Sequence, residues 1–542
     1  MQGSMALALK KRASKQAYQS LTQLTIEGFE TPFMQKLDPE NRWVKLAHKV
    51  PWDDVVGIYL KQLRNQSMGA SAINPRVILG AVMIKHLKNL SDEETILEIQ
   101  ENMYLQYFIG YSSFTKEAPF DPSLFVEIRN RLGYQQLGQI NERIALLHQK
   151  SIQDKLQRDN ENYPGEGAFP HSDSDPKPLK EESSSGLTQQ EAMEESRANS
   201  SNAAAVEATE VSHKGRLLVD ATACPQDIQY PTDLNLLNDA RIKSEELIDL
   251  LHQISSEKSK PRTYRLEARK NYLRFAKKRQ LSHAQVRKAL AIQLRYLRRN
   301  LKHINTLLDS LQRIPFKPKE YKYFLVIQEV YRQQLLMWNN RNHRVENRIV
   351  SIHQPHVRPI VRGKARNKTE FGAKLHLSLI DGFAFVDHLN WDAYNEGSFL
   401  LDSVEKYRSR FGYYPKQVLA DQLYCTRENR RKLKELNIQL LAKPLGRPSA
   451  VNQEHVRPGE RNPIEGKFGQ AKTAYGMDRI RARLSQTSES WIASIVLVLN
   501  LVQLARKAPY CLSRNIINFL SEWMQNQIKS VFFVIRTPVL IQ

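Results

Sequence analysis

The apolar positions of this 542-residue chain change period twice along its length. Between about residues 40 and 150 they recur every three or four positions, which predicts a succession of short amphipathic helices. The junctions carry signals of their own. In INPRVILGAVMIKHLKNLSDEETILEIQEN, Asn74 and Pro75 form an N-cap and first-turn pair, and Ser91 with Glu94 forms a capping box. In FDPSLFVEIRNRLG, Asp121 caps, Pro122 opens and Gly133 closes a further helix. Short helices with tight junctions suit a helix-turn-helix arrangement and a plain dimerisation bundle equally well. From 151 to 212 the periodicity vanishes into Ser, Glu, Pro and Ala, with few aromatics. Such a composition cannot bury enough apolar surface to offset its ordering entropy, which predicts a disordered acidic linker.

After residue 213, short apolar runs alternate with helical patterns. RLLVDAT, at 216–222, reads as a short buried strand ending on Asp220. YPTDLNLLNDARIKSEELIDLLHQI is a helix capped at Thr232, and it opens a helical insertion over about 234–365. FGAKLHLSLIDGFAFVDHLN predicts a strand, an Asp381-Gly382 turn and a second strand. NEGSFLLDSVEKYRSRFG is a helix ending at Gly412, KQVLADQLY a strand, TRENRRKLKELN a helix from the Thr426 cap, and IQLLAKP a strand. NPIEGKFGQAKTAYG is a helix opened by Asn462 and Pro463 and closed at Gly476. That order predicts an α/β segment, a mixed sheet with helices on its faces, over 213–508. Residues 509–542 carry no assignable pattern; SVFFVIRTPVLIQ reads equally as an extra strand or an unpaired tail.

Charge narrows the partner. The net charge is +23, yet residues 158–212 hold 12 acids against 4 bases, so −8 sits there and +31 on the rest. Residues 258–302 carry sixteen Lys or Arg and one acid, Glu267, with Tyr264, Tyr272, Phe275 and Tyr296 interleaved. A solvated helix face would balance its bases with acids one turn away. Their scarcity predicts a surface that tracks phosphates. Three scattered cysteines, Cys224, Cys425 and Cys511, give neither zinc-site spacing nor an even disulfide set, as expected in a reducing compartment. The first residues have the wrong order for a secretory signal, and no run of about 18 apolar residues is read anywhere, so a soluble intracellular protein is expected.

An ionised carboxylate is costly at the end of a buried run. Asp220 therefore either turns into water or holds a cation, and the second requires partners. Val418-Leu419-Ala420 likewise ends on an acid, Asp421, and ligand sites of α/β sheets collect at the C-terminal edge of the strands. Glu465, on the last helix of the alternation, has two explanations. It pairs with Asn462 as a capping box, or it is a third acid of the same site. Arg461 stands four residues before it and Lys472 seven after, on nearly the same helix face. Gly466 and Gly469 keep that face uncrowded. Asp381 is the hairpin turn residue, Asp387 and Asp392 are expected to face solvent, and His388 is a polar strand-end residue.

The set LLVDAT, VLADQLY and RNPIEGKFGQAK resembles the Asp-Asp-Glu (DDE) transposases of bacterial insertion sequences. YPTDLNLLNDAR and FGAKLHLSLIDG are similar to the same group, and residues 40–150 to its InsH-type N-terminal domain. The resemblance covers 40–150 and about 213–508. It implies an all-α N-terminal domain, then a ribonuclease H-like catalytic domain carrying the basic helical insertion. It implies Asp220, Asp421 and Glu465 as catalytic acids and metal ligands, with Tyr424 as the tyrosine following the second acid. Arg461 and Lys472 fit the spacing such enzymes use around the glutamate, and with Tyr424 they are the implied DNA-binding residues. One position departs: Pro458 stands where that pattern has a tyrosine three residues before the arginine.

The implied reaction is metal-dependent cleavage and strand transfer by in-line displacement at phosphorus. Two Mg²⁺ ions, with Mn²⁺ as a substitute, would stabilise the attacking and leaving oxygens. Oxygen ligands suffice for such hard cations, so the thiols of Cys224 and Cys425 are not required. The implied partner is double-stranded DNA, both the element's terminal inverted repeats and its target, bound by a homodimer in a synaptic complex. No membrane is involved, and the expected location is cytoplasmic and nucleoid-associated. An inactive transposase-derived repressor and a host nuclease on the same fold are the alternatives; terminal inverted repeats flanking the gene would favour the transposase.

Overall fold

The computed structural model describes residues 36–61, 73–161, 213–255, 257–361, 369–442 and 459–506, with backbone alone for 148–161. Most of the predicted linker, the segment after 506 and Pro458 lie outside these residues.

Among the described residues, seven helices come first: α1 (Arg42–Lys49), α2 (Trp52–Leu60), α3 (Pro75–Lys88), α4 (Asp92–Glu101), α5 (Met103–Ile109), α6 (Leu124–Arg131) and α7 (Tyr134–Glu161). The local signals act as read. The Asn74 side chain accepts from the Arg76 N–H, and Ser91 with Glu94 closes a full capping box on α4. Asp121 does not cap α6, which begins two residues later than predicted. Its Oδ1 instead accepts from the Ser123 N–H at 2.8 Å, forming a turn before the helix. Helix α7 corrects the linker boundary, since it continues to Glu161 where the composition predicts disorder from 151 onward. Residues His148–Ser212 form a unit of their own.

The mixed α/β segment follows in the order β1 (Arg216–Pro225), α8 (Asp233–Ile254), α9 (Arg265–Ala276), α10 (His283–Leu311), α11 (Pro318–Asn339), β2 (Arg358–Val361), β3 (Thr369–Ile380) and β4 (Phe383–Asn390). It continues with α12 (Leu400–Phe411), β5 (Gln417–Leu419), α13 (Arg427–Glu435), β6 (Gln439–Leu441), α14 (Asn462–Tyr475) and α15 (Ser485–Arg506). The sheet runs β2-β3-β1-β5-β6, with β4 also paired to β3. β1 is antiparallel to β3 and parallel to β5, and β5 is parallel to β6. The β3–β4 hairpin turns at Asp381 and Gly382, both with positive φ, as an Asp-Gly turn requires. Gly372 is needed where β3 presses on β1, because a Cβ there would meet the Cys224 carbonyl oxygen at 2.0 Å.

Helices cover both faces of the sheet. Ala373, Leu375, Leu377 and Leu379 pack with Ile464 and Phe468 of α14 and with Ile492, Ile495, Val496 and Leu499 of α15. On the other face, Leu217, Val219, Phe383 and Phe385 pack with Leu400, Val404 and Tyr407 of α12. The insertion has a core of its own, including Leu237, Ile248, Leu297, Ile304, Ile327 and Val330 of α8, α10 and α11. Helix α15 is long and apolar enough to cross a membrane by length and composition alone, although polar residues interrupt its apolar run. Its apolarity has a local cause. Ala493, Leu497, Leu501 and Leu504 face the core of α1–α6, while the opposite side faces the sheet. α3 belongs to that same helical core, with twelve of its residues buried.

Asp387 is not solvent-facing. It lies in β4 beside a bulge that shifts the β3–β4 register, and only 2% of its side chain is exposed. Arg410 of α12 reaches it at 2.9 Å, a partner 23 residues away that no local pattern announces. Asp392 is exposed as expected, and His388 stacks on Phe399 with ring centroids 4.0 Å apart.

Candidate active site

β1 does not stop at Asp220. It runs five residues further, because β3 stays paired with it as far as Pro225. What ends near Asp220 is the other edge. β5 pairs with β1 only over Arg216–Leu218, matched to Gln417–Leu419. Asp220 and Asp421 are each two residues past the last pair, so the parallel register sets them level. β1 is left without its neighbour where the two acids face the gap.

Both carboxylates are held the same way. Asp220 Oδ1 accepts from the Ala221 N–H at 2.8 Å, and Asp421 Oδ1 accepts from the Gln422 N–H at 2.7 Å. Arg461, immediately before α14, joins them. Its Nη2 donates to Asp220 Oδ2 at 3.0 Å, and its Nη1 lies 3.3 Å from Asp421 Oδ1. The Asp220 side chain is 16% exposed and that of Asp421 is 49% exposed. Burial pushes the Asp220 carboxyl up to about 6; the Ala221 N–H and Arg461 oppose the shift, and the charges of Glu396 and Asp421 add to it. Burial outweighs the arginine here.

Glu465 sits on the first turn of α14, with its N–H bonded to the Arg461 carbonyl, and it is exposed. The capping-box explanation does not hold: Asn462 is the first residue of the helix, and no side chain caps it. The structure brings together Asp220, Asp421 and Arg461. The acids acting most on Asp220 are Glu396 and Asp421 rather than Glu465. Among the described residues, no group of three or more His, Cys, Asp or Glu side chains is arranged to hold a metal ion. Lys472 is half-buried, about two turns beyond Glu465 on α14.

Two neighbours alter the sequence reading. Tyr424 is completely buried, and its hydroxyl has no hydrogen-bond partner, so the expected DNA contact is not available to it in this conformation. The pKa of its hydroxyl is raised by burial first and then by the charges of Glu396 and Asp220. Glu396 lies in a single 3-10 turn (Glu396–Phe399), and the sequence hides it because NEGSF reads as a helix start. It pairs with Lys374 Nζ at 2.9 Å. The Asn429 amide donates to the carbonyls of Gly397 and Tyr424, fastening this turn to the segment after Asp421.

The basic segment forms α9 and α10, with Lys277 and Lys278 in the connection between them. Arg269, Lys270, Arg274, Lys277, Lys278, Lys288, Arg295, Arg298 and Lys302 are all exposed. Arg299 is held over the rings of Tyr264 and Tyr296, 4.8 and 5.1 Å from their centroids.

Two family models match this chain: "Transposase DDE domain" over residues 418–502 and "Transposase domain" over residues 31–131. Together they support an insertion-sequence DDE transposase. The DDE match contains Asp421, Arg461, Glu465 and Lys472; Asp220 lies outside both matched segments. The chain is also 34% identical over 107 residues to "Uncharacterized protein ORF8 in nfe locus" of Rhizobium meliloti, an overlap of 19% of this chain. It covers 49% of that protein, about half the length of the curated relative. No solved structure matches.

Proposed function

We propose that this chain is a DNA transposase that cleaves and joins element ends by metal-dependent in-line displacement, with Asp220, Asp421 and Glu465 as its acids. The observation that carries this reading is the level placement of Asp220 and Asp421 beyond the last β1–β5 pair, bridged by an arginine that leads into the helix bearing Glu465. The mixed sheet, with β1 antiparallel to β3 and parallel to β5 and helices on both faces, supports a ribonuclease H-like catalytic domain.

The residues fit a hard divalent cation. Their donors are all oxygen, and Asp220 is already held by a cationic group, the Arg461 guanidinium, standing where charge compensation is needed. Asp220, Asp421 and Glu465 would hold two Mg²⁺ ions, with Mn²⁺ as a substitute. Bound there, the ions would stabilise the attacking and leaving oxygens at phosphorus. Arg461 and Lys472 hold phosphates of the DNA end, and the exposed bases of α9 and α10 track the duplex leading to the site. The working form is a homodimer that pairs two element ends on a target duplex, in the cytoplasm and associated with the nucleoid.

The test is strand cleavage and joining on a plasmid carrying the DNA that flanks this gene, in Mg²⁺. Glu465→Gln keeps hydrogen-bonding capacity and loses the charge a cation requires, so activity should fall by at least about a hundredfold while DNA binding persists. Equal cleavage by wild type and Glu465→Gln would remove Glu465 from the site.

A further inference from the structure

We propose that Arg461 is a gate: its guanidinium occupies the place of a cation between Asp220 and Asp421, and DNA phosphate draws it away so that the divalent ion enters with the substrate. The inference rests on the reading above that the two aspartates hold that ion. Arg461 reaches one acid at 3.0 Å and the other at 3.3 Å, so both ligands are engaged at once. A divalent ion on the same oxygens would face a positive charge a few ångströms away, and that repulsion is least screened at Asp220, whose side chain is 16% exposed.

The hold is also incomplete. Arg461 Nε is buried and has no hydrogen-bond partner, so one of the three guanidinium nitrogens is unsatisfied while the other two face the aspartates. A phosphate can take Nε and one Nη together, in the side-on pairing that carboxylates divided between two strands do not offer here. The anchor permits the movement. Arg461 sits ahead of α14 with no side-chain cap, two residues after Gly459, whose φ is +98°, and its side chain keeps 18% exposure toward solvent. Lys472, on the same helix, would remain beside the phosphate when Arg461 swings.

The experiment titrates Mn²⁺ into the purified full chain by calorimetry, with and without a short DNA duplex. Without DNA, Arg461→Gln should bind Mn²⁺ at least about tenfold more tightly than wild type, and Arg461→Lys, which keeps the charge, should stay near wild type. Adding duplex should tighten Mn²⁺ binding to wild type and leave Arg461→Gln little changed. An Arg461→Gln affinity equal to wild type overturns the gate. Should that variant fail to fold, the wild type decides alone, because linkage requires duplex affinity to rise with Mn²⁺ by the factor that Mn²⁺ affinity rises with duplex; no coupling overturns the proposal. Asp220→Asn and Asp421→Asn separate the two readings. If they abolish Mn²⁺ binding while Arg461→Gln changes nothing, the metal site stands and the gate falls; if they change nothing, both fall.

Discussion

Arg410 Nη1 lies 2.9 Å from Asp387 Oδ1, with 6% and 2% of the two side chains exposed. Glu142 of α7 adds a second acid at 2.7 Å, so the guanidinium ties α12 to both β4 and the N-terminal helices. Asp387 Oδ2 has no partner, which leaves the carboxylate dependent on this one cation. Arg410→Met should therefore cost about 3–5 kcal/mol in urea unfolding, because a buried charge is left alone. Arg410→Met with Asp387→Leu should recover most of that loss. A single-variant loss below about 1 kcal/mol would contradict the assignment.

His376 gives the fold a pH dependence. It is fully buried in β3, with Nε2 unpaired, and burial lowers its pKa to about 4 against an ordinary 6.5. His356 is lowered to about 4 for the same leading reason. The unfolded chain takes up these protons near pH 6.5 and the folded chain does so only near 4, so stability is fully present above 6.5 and falls as the pH drops toward 4. His376 is worth up to about 3 kcal/mol across that window, and the partly exposed His356 less. His376→Leu should flatten the profile of unfolding free energy between pH 6.5 and 4; a profile parallel to wild type would rule this cause out.

The exposed bases of α9 and α10 predict a salt signature. Replacing Arg274, Lys277 and Lys278 together with Gln should weaken binding to every DNA sequence alike. The slope of log affinity against log salt should shrink by about 0.9 for each phosphate that the protein no longer neutralises. An unchanged slope would reduce the segment to a solvated helix face.

What is legible in the sequence is local. The Asn74, Ser91, Thr232 and Thr426 caps, the Asp381-Gly382 turn and the glycines at 412 and 476 each act within a few residues, and all are found in place. What the sequence misplaces depends on distant partners. Asp220 reads as a strand end because Ala221-Thr222-Ala223 is weakly apolar, yet β3 carries the strand onward. Asp387 reads as solvent-facing because Arg410 is a helix away, and polar SIQDKLQRDNE continues α7 without an apolar stripe to mark it. In the candidate site, the matching of Asp220 to Asp421 is legible as two apolar runs each followed by an acid, although β1 itself does not end there. The Arg461 bridge and Glu396 are not, since both arise only when loops close over the sheet edge.

Helix α15 has a consequence for synthesis. The core of α1–α6 takes Ala493, Leu497, Leu501 and Leu504 from a helix that leaves the ribosome about 360 residues later. At roughly 5–20 residues per second, the first helices wait some 20–70 s with an apolar face uncovered. The N-terminal part of the chain is thus the first to be made and among the last to be finished, and a chain cut short before Ser485 leaves both that core and the sheet without their common lid.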